Sequence, residues 1–87
     1  MAYPKIQSLQ PMDDYNLLVT FDNQQMRKYD VKPLLKQERF LALNNPVLFK
    51  QAQIETGGYA VCWNDELDVS EYEIWSHGVP YIPNKLS

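Results

Sequence analysis

One cysteine and one histidine are all that this 87-residue chain has of either, and the shortage closes several routes together. Cys62 has no second thiol in the chain to pair with, which excludes an internal disulfide framework and a zinc site built on cysteines. It alternates with Val61 and Trp63 along a predicted strand, so it reads as a small half-buried residue on the opposite face, not as a reactive thiol. His77 falls in the last turn of a predicted terminal helix, where a cation complements the helix dipole, and it is read structurally instead of as a catalytic base. With three glycines there is no phosphate-cradling loop: Gly57-Gly58 reads as a hairpin turn and no G-x-x-x-x-G-K run is present. No apolar run approaches the ~18 residues needed to span a bilayer. Met1-Ala2-Tyr3-Pro4-Lys5 has no cationic stretch followed by an apolar block and a small-residue cleavage site, so no secretory leader is expected. A reducing cytoplasm is the expected location.

Hydrophobic residues at 45% and aromatics at 13% suffice for a packed core. The length allows one domain that buries about 60–65% of its unfolded surface, so folding is expected without metal, cofactor or staple. Net charge is -3, unevenly placed. Lys5, Arg27, Lys28, Lys32, Lys36, Arg39 and Lys50 oppose Asp13, Asp14, Asp22, Asp30 and Glu38 in residues 1–50, a balance of +2. In residues 51–87 Lys85 alone opposes Glu55, Asp65, Glu66, Asp68, Glu71 and Glu73, a balance of -5. An acidic C-terminal part disfavours a phosphate backbone as partner and suits a basic protein surface.

Local signals place an extended edge segment at residues 4–11, bounded by Pro4 and Pro11. A strand follows at Tyr15–Phe21, with Leu17, Val19 and Phe21 on one face. Asp22 and Asn23 supply turn chemistry, and Met26–Tyr29 returns antiparallel. Asp30 is a predicted N-cap with Pro33 in the first turn. Leu34, Leu35, Phe40, Leu41 and Leu43 are expected to pack on one side, with a break at Gln37-Glu38, and Asn45-Pro46 opens another helical turn that brings Phe49 to the core. Gln53–Glu55, the Gly57-Gly58 turn and Tyr59–Trp63 form a second hairpin, with Tyr59, Val61 and Trp63 on one face. A polar turn leads to Ser70-Glu71-Tyr72-Glu73, which matches the capping box of a short helix ended by Gly78 and Pro80. These elements describe one α+β domain over residues 1–78: an antiparallel sheet of about five strands, made of two hairpins and an N-terminal edge strand, with short helices. A loosely ordered tail is expected at 79–87.

Candidate chemistry does not converge. Asp65, Glu66 and Asp68 cluster on a predicted turn but lack the glycine and ligand spacing of a calcium loop, so no metal is assigned. Lys32, Lys36 and Arg39 stand at helical spacing and offer a basic stripe, the feature from which a nucleic-acid reading starts. Trp63 is a core anchor by default, whereas Trp75 is also a candidate interface residue.

Pro4-Lys5-Ile6, Leu17-Leu18-Val19-Thr20-Phe21, Tyr29-Asp30-Val31 with Leu34-Leu35, Phe40-Leu41-Ala42-Leu43 with Asn45-Pro46 and Phe49, and Trp63 with Leu67-Asp68-Val69-Ser70 recur together in one family. In these the chain resembles the small prokaryotic domain-of-unknown-function family 2442 (DUF2442), over residues 4 to about 78. The departure is Asn23-Gln24 in the first hairpin turn, where family members commonly have glycine. The resemblance implies antiparallel strands with short helices on one side. It also implies a small protein partner encoded nearby, with the antitoxin-like half of a toxin–antitoxin pair as the suspected role; some members are fused to a DNA-binding domain. No catalytic residues come with it. The expectation is a non-enzymatic interaction module that meets a basic partner through Asp65, Glu66, Asp68, Glu71 and Trp75. The alternative is a DNA-contacting regulator using Lys32, Lys36 and Arg39. A homodimer through exposed strand edges is compatible with either.

Overall fold

The computed structural model describes residues 3–64 and 66–82. Strand β1 (Ile6–Met12), β2 (Asn16–Phe21) and β3 (Met26–Asp30) form an antiparallel meander. Alternation decides which way β2 faces: Leu17, Val19 and Phe21 are fully buried, and Leu18 and Thr20 are half-buried on the other side. The β2–β3 turn closes with Gln24 N–H on the Phe21 carbonyl and Phe21 N–H on the Gln25 carbonyl, while Asn23 Oδ1 accepts from Gln25 N–H at 3.0 Å. Closure puts Gln24 at φ 75°, a left-handed conformation that a side chain tolerates poorly. Gln24→Gly is therefore expected to stabilise the domain by about 0.5–1 kcal/mol, seen as a higher urea midpoint at unchanged slope. A fall in the midpoint would show that glycine's unfolded-state entropy outweighs the relief.

Between β3 and the second sheet the chain makes short helical turns. Lys32–Lys36 and Glu38–Asn44 are 3₁₀ helices separated by extended Gln37 (φ -83°, ψ 140°), the predicted break. Asp30 Oδ1 accepts from Lys32 N–H at 2.9 Å, so the expected cap chemistry is present although the N-cap position itself falls on Val31. A 3₁₀ turn repeats every three residues. Phe40 and Leu43 therefore share the buried face and Leu41, expected beside them, points outward. Helix α1 (Pro46–Phe49) is capped as predicted, by Asn45 Oδ1 accepting from Val47 N–H at 3.0 Å. It delivers Phe49, 2% exposed, to the core.

The second sheet has the order β4-β5-β6, from β4 (Gln53–Ile54), β5 (Ala60–Asn64) and β6 (Leu67–Ser70). Val61 and Trp63 are buried as expected, but Tyr59 stands before the strand in helical backbone and is 55% exposed. Strand β6 occupies residues read from sequence as the approach to a helix: Leu67 and Val69 alternate inward while Asp68 faces out. Helix α2 (Glu71–His77) follows, with Ser70 Oγ accepting from Glu73 N–H at 3.1 Å. The reciprocal half of the capping box is not made, because the Glu73 carboxylate is engaged by Tyr29 and His77. Gly78 ends the helix, and Val79–Pro80, expected to open a loose tail, is a fourth strand, β7, on the edge of β3. The first sheet thus has the order β1-β2-β3-β7, and residues 83–87 lie outside the described residues.

The expected antiparallel α+β fold is what the chain forms, with its strands divided between two sheets. Both contribute to one core, in which Leu17, Val19, Phe21 and Val31 meet Phe49, Val61, Trp63 and Ile74. Burial of such side chains at about 1.5–3 kcal/mol each is the dominant stabilising contribution. The Trp63 indole N–H donates to the Phe49 carbonyl at 2.9 Å, so a large ring is buried without an orphaned donor. Among the described residues no helix is long and apolar enough to cross a membrane.

Candidate functional site

The outer face of the second sheet is polar because its strands alternate. Gln53, Cys62 and Asp68 are in register across β4, β5 and β6, which lines the three side chains up on one face. This row lies in an open cleft of about 640 Å³ whose rim includes Glu55, Asn64 and Lys50. Cys62 is half-buried there, opposite in direction to Val61 and Trp63 as predicted. Glu66, in the β5–β6 turn, is exposed, and its backbone is held by Asn64 Oδ1, which accepts from Glu66 N–H at 2.8 Å and Leu67 N–H at 3.0 Å. Among the described residues the carboxylates of Glu55, Glu66 and Asp68 have neither an ion pair nor a hydrogen bond.

The remaining acidic candidates are used differently. Glu71 accepts from Lys5 Nζ at 2.9 Å, with its side chain 14% exposed. This hydrogen bond raises the Lys5 pKa above its ordinary value, against the opposing effect of burial. Lys5 also lies 4.6 Å over the Tyr59 ring, so the pair is a tether between the N-terminal strand and α2. Asp68 is on a strand, not in the turn where the sequence suggested it, and Asp65 lies outside the described residues. Trp75 is half-buried: the Phe21 ring meets it edge-on at 5.2 Å and the Arg27 guanidinium covers it at 3.9 Å. That leaves it little area to offer a partner.

The basic candidates do not share one helix. Extended Gln37 separates Lys32 and Lys36 from Arg39, breaking the helical spacing that would align them. Lys32 Nζ is held by the Asp30 carboxylate at 3.1 Å and donates to the Asp14 carbonyl at 2.9 Å. Arg39 Nη2 donates to the Glu66 carbonyl at 3.0 Å, and its guanidinium lies 5.1 Å from the Phe40 ring.

A hydrogen-bonded chain was not legible in the sequence. Tyr29 Oη donates to Glu73 Oε2 at 2.9 Å, and Glu73 Oε1 lies 3.3 Å from His77 Nδ1. The helical i, i+4 spacing of Glu73 and His77 was a usable signal; Tyr29 was not, since it comes from β3, at a separation of 44 residues from Glu73. Burial, and then the hydrogen bond to Glu73, push the Tyr29 pKa well above its ordinary range. A phenol held in its protonated form is a poor nucleophile, and the cleft around it is lined by no serine, threonine or cysteine among the described residues. The same shift makes stability pH-dependent. With the folded pKa raised, the contribution of Tyr29 is fully present below pH ~10 and is lost as pH climbs from there toward the folded value. The unfolding free energy read from urea titrations is expected to fall above pH ~10, by up to about 1.4 kcal/mol per pH unit from this group. Tyr29→Phe should be less stable at neutral pH yet show a shallower alkaline decline; parallel curves would remove Tyr29 as the cause.

Among the described residues no group of three or more histidine, cysteine, aspartate or glutamate side chains is placed to hold a metal ion. Residues 6–80 match the family described as protein of unknown function (DUF2442), and the chain belongs to that family. No curated protein and no solved structure matches it.

Proposed function

We propose that this member of the family acts by contact and not by bond-making, as a protein-interaction module that meets a basic partner through the outer face of β4-β5-β6. The observation that carries the reading is the set of exposed carboxylates at Glu55, Glu66 and Asp68, which have no counter-ion among the described residues. The other two described acids of the C-terminal part, Glu71 and Glu73, are tied to Lys5, Tyr29 and His77. Unpaired charges on an open polar face raise association rates and select partners of opposite sign. A small co-encoded protein, neutralised by this chain as in a toxin–antitoxin pair, is the kind of partner the reading takes. Lys32 and Arg39 are already held within the fold, which weakens the competing picture of a DNA contact.

The test is co-purification with the product of the adjacent gene, followed by charge reversal at Glu55, Glu66 and Asp68 together. Affinity is expected to fall by at least about tenfold, with a weaker salt dependence in the variant. Glu71→Gln should act on stability and leave binding near the parent value. Absence of a complex at both ~50 mM and physiological salt would overturn the proposal. So would retention on DNA at those salt concentrations that the same reversals do not change.

A further inference from the structure

Large rings left exposed on a small domain mean little one at a time and more where they gather. Tyr3, Tyr59 and Tyr72 are 41%, 55% and 47% exposed. They come from the N-terminal segment, the turn before β5 and helix α2, and they meet at one corner. The Tyr3 and Tyr72 rings lie 4.6 Å apart, tilted at 57°. Lys5 joins Tyr59 to them: its Nζ stands 4.6 Å over the Tyr59 ring, donates to the Tyr3 carbonyl at 3.4 Å and pairs with Glu71, the neighbour of Tyr72. The corner adjoins the outer face of the second sheet, since Glu71 N–H donates to the Tyr59 carbonyl at 2.9 Å and so continues the pairing of Ala60 with Ser70.

Tyrosine suits contact with a partner, because a ring with two χ angles loses little entropy on binding and has an apolar face and a polar tip. Together the three side chains leave roughly 200–350 Å² to solvent, well short of the roughly 800 Å² that each side of a stable complex covers. The corner is thus sized to seat one or two side chains, as the anchor of a larger contact.

The surroundings of the rings decide what they seat. The fold itself shows twice what such faces take: Lys5 over Tyr59, and the Arg27 guanidinium 3.9 Å over Trp75, one helical turn after Tyr72 on α2. Both cations are committed to those seats, whereas further acids flank the corner. Asp22, whose N–H donates to the Lys5 carbonyl at 2.8 Å, places a second carboxylate near the Lys5 ammonium, and Glu55 opens the turn that Tyr59 closes. Ring faces beside carboxylates suit a planar cation, which stacks and donates in its own plane. An anion would meet like charge.

We infer that the corner of Tyr3, Tyr59 and Tyr72 binds an arginine side chain of a protein partner, its guanidinium stacked on a tyrosine ring and flanked by Asp22 and Glu55. This deepens the proposed function, resting on its reading that the partner is basic, by naming the anchor of the contact.

The test uses the whole chain and does not need the partner. It is an NMR titration with the capped peptide Gly-Arg-Gly-Arg-Gly, against the same peptide carrying lysine or citrulline in place of arginine, at matched ionic strength. Saturable shifts at Tyr3, Tyr59, Glu71 and Tyr72 are expected with arginine, weaker binding with lysine and none with citrulline. Tyr59→Ser combined with Tyr72→Ala should weaken arginine binding about three- to fivefold, with far-UV circular dichroism and the urea midpoint kept as checks on the fold. Shifts that do not saturate, that lysine or citrulline reproduces at equal strength, that centre on Glu66 and Asp68, or that persist in the double variant would overturn the inference. The two readings fail separately. Arginine binding at the tyrosines by a chain that forms no complex with the adjacent gene product supports the corner and removes the proposed function. A complex that responds to charge reversal at Glu55, Glu66 and Asp68 but not to the double variant removes the corner alone.

Discussion

Phe49→Ala is expected to cost about 3–5 kcal/mol and to lower the urea midpoint of the domain sharply. Phe49 is 2% exposed, and its ring sits between Tyr15 at 5.0 Å and Trp63 at 6.1 Å. Removing it opens a cavity among rings too large to collapse into the space. The backbone carbonyl survives the substitution, but its hydrogen bond from the Trp63 indole depends on α1 staying seated. A domain of this size has a margin of roughly 5–10 kcal/mol, so one such loss takes much of it. Urea unfolding followed by tryptophan fluorescence checks this; a midpoint within ~0.5 M of the parent would mean that the core can close around the gap. Phe49→Leu keeps most of the volume and should recover the greater part of the loss.

Gly58→Ala is expected to be nearly as damaging, whereas Gly57→Ala is not, although both glycines have positive φ, +77° and +87°. Each substitution forces a side chain into left-handed backbone at a cost of about 1–2 kcal/mol. The difference lies in what the new methyl meets. At Gly58 it would stand 2.5 Å from the Ile6 carbonyl oxygen and 3.0 Å from the Ile6 nitrogen, both backbone atoms of a strand. At Gly57 the obstacle is the Tyr59 ring at 2.5 Å, and that exposed ring can turn away at the loss of its contact with Lys5. Gly58 is also where the second sheet comes against β1, so a forced separation opens the junction between the sheets. A loss of at least about 3 kcal/mol is expected for Gly58→Ala and about half that for Gly57→Ala. Equal losses would mean that φ alone sets the requirement.

Much of the fold was legible because the signals are local. Asn45 caps Val47, Ser70 caps Glu73, Gln37 breaks the helical segment, and Leu17, Val19 and Phe21 alternate, each within a few residues of chain. Strand β6 was missed because Leu67-Asp68-Val69-Ser70 is four residues ending on a strong helix-start signal, and only its pairing with β5 makes it a strand. Val79–Pro80 carries no strand pattern either; it is one because β3 leaves an edge to be paired. Leu41 was misplaced because the period of its turn is three and not 3.6. The acidic excess was read correctly as a sum, yet which carboxylates remain available was not. Glu71 finds Lys5 66 residues away, and Glu73 finds Tyr29 at a separation of 44.

By itself, then, the order of residues determined the first hairpin, the caps at Asn45 and Ser70, the inward face of Leu17, Val19 and Phe21 and the charge imbalance, since all depend on backbone preference and spacing within a turn or two. The tertiary structure alone decided that the strands divide into two sheets, that Trp75 and Glu71 are engaged within the fold, and that Asn16, Tyr29, Glu73 and His77 share one cleft. Those outcomes rest on contacts between distant segments, where packing space and desolvation select partners that no local pattern records.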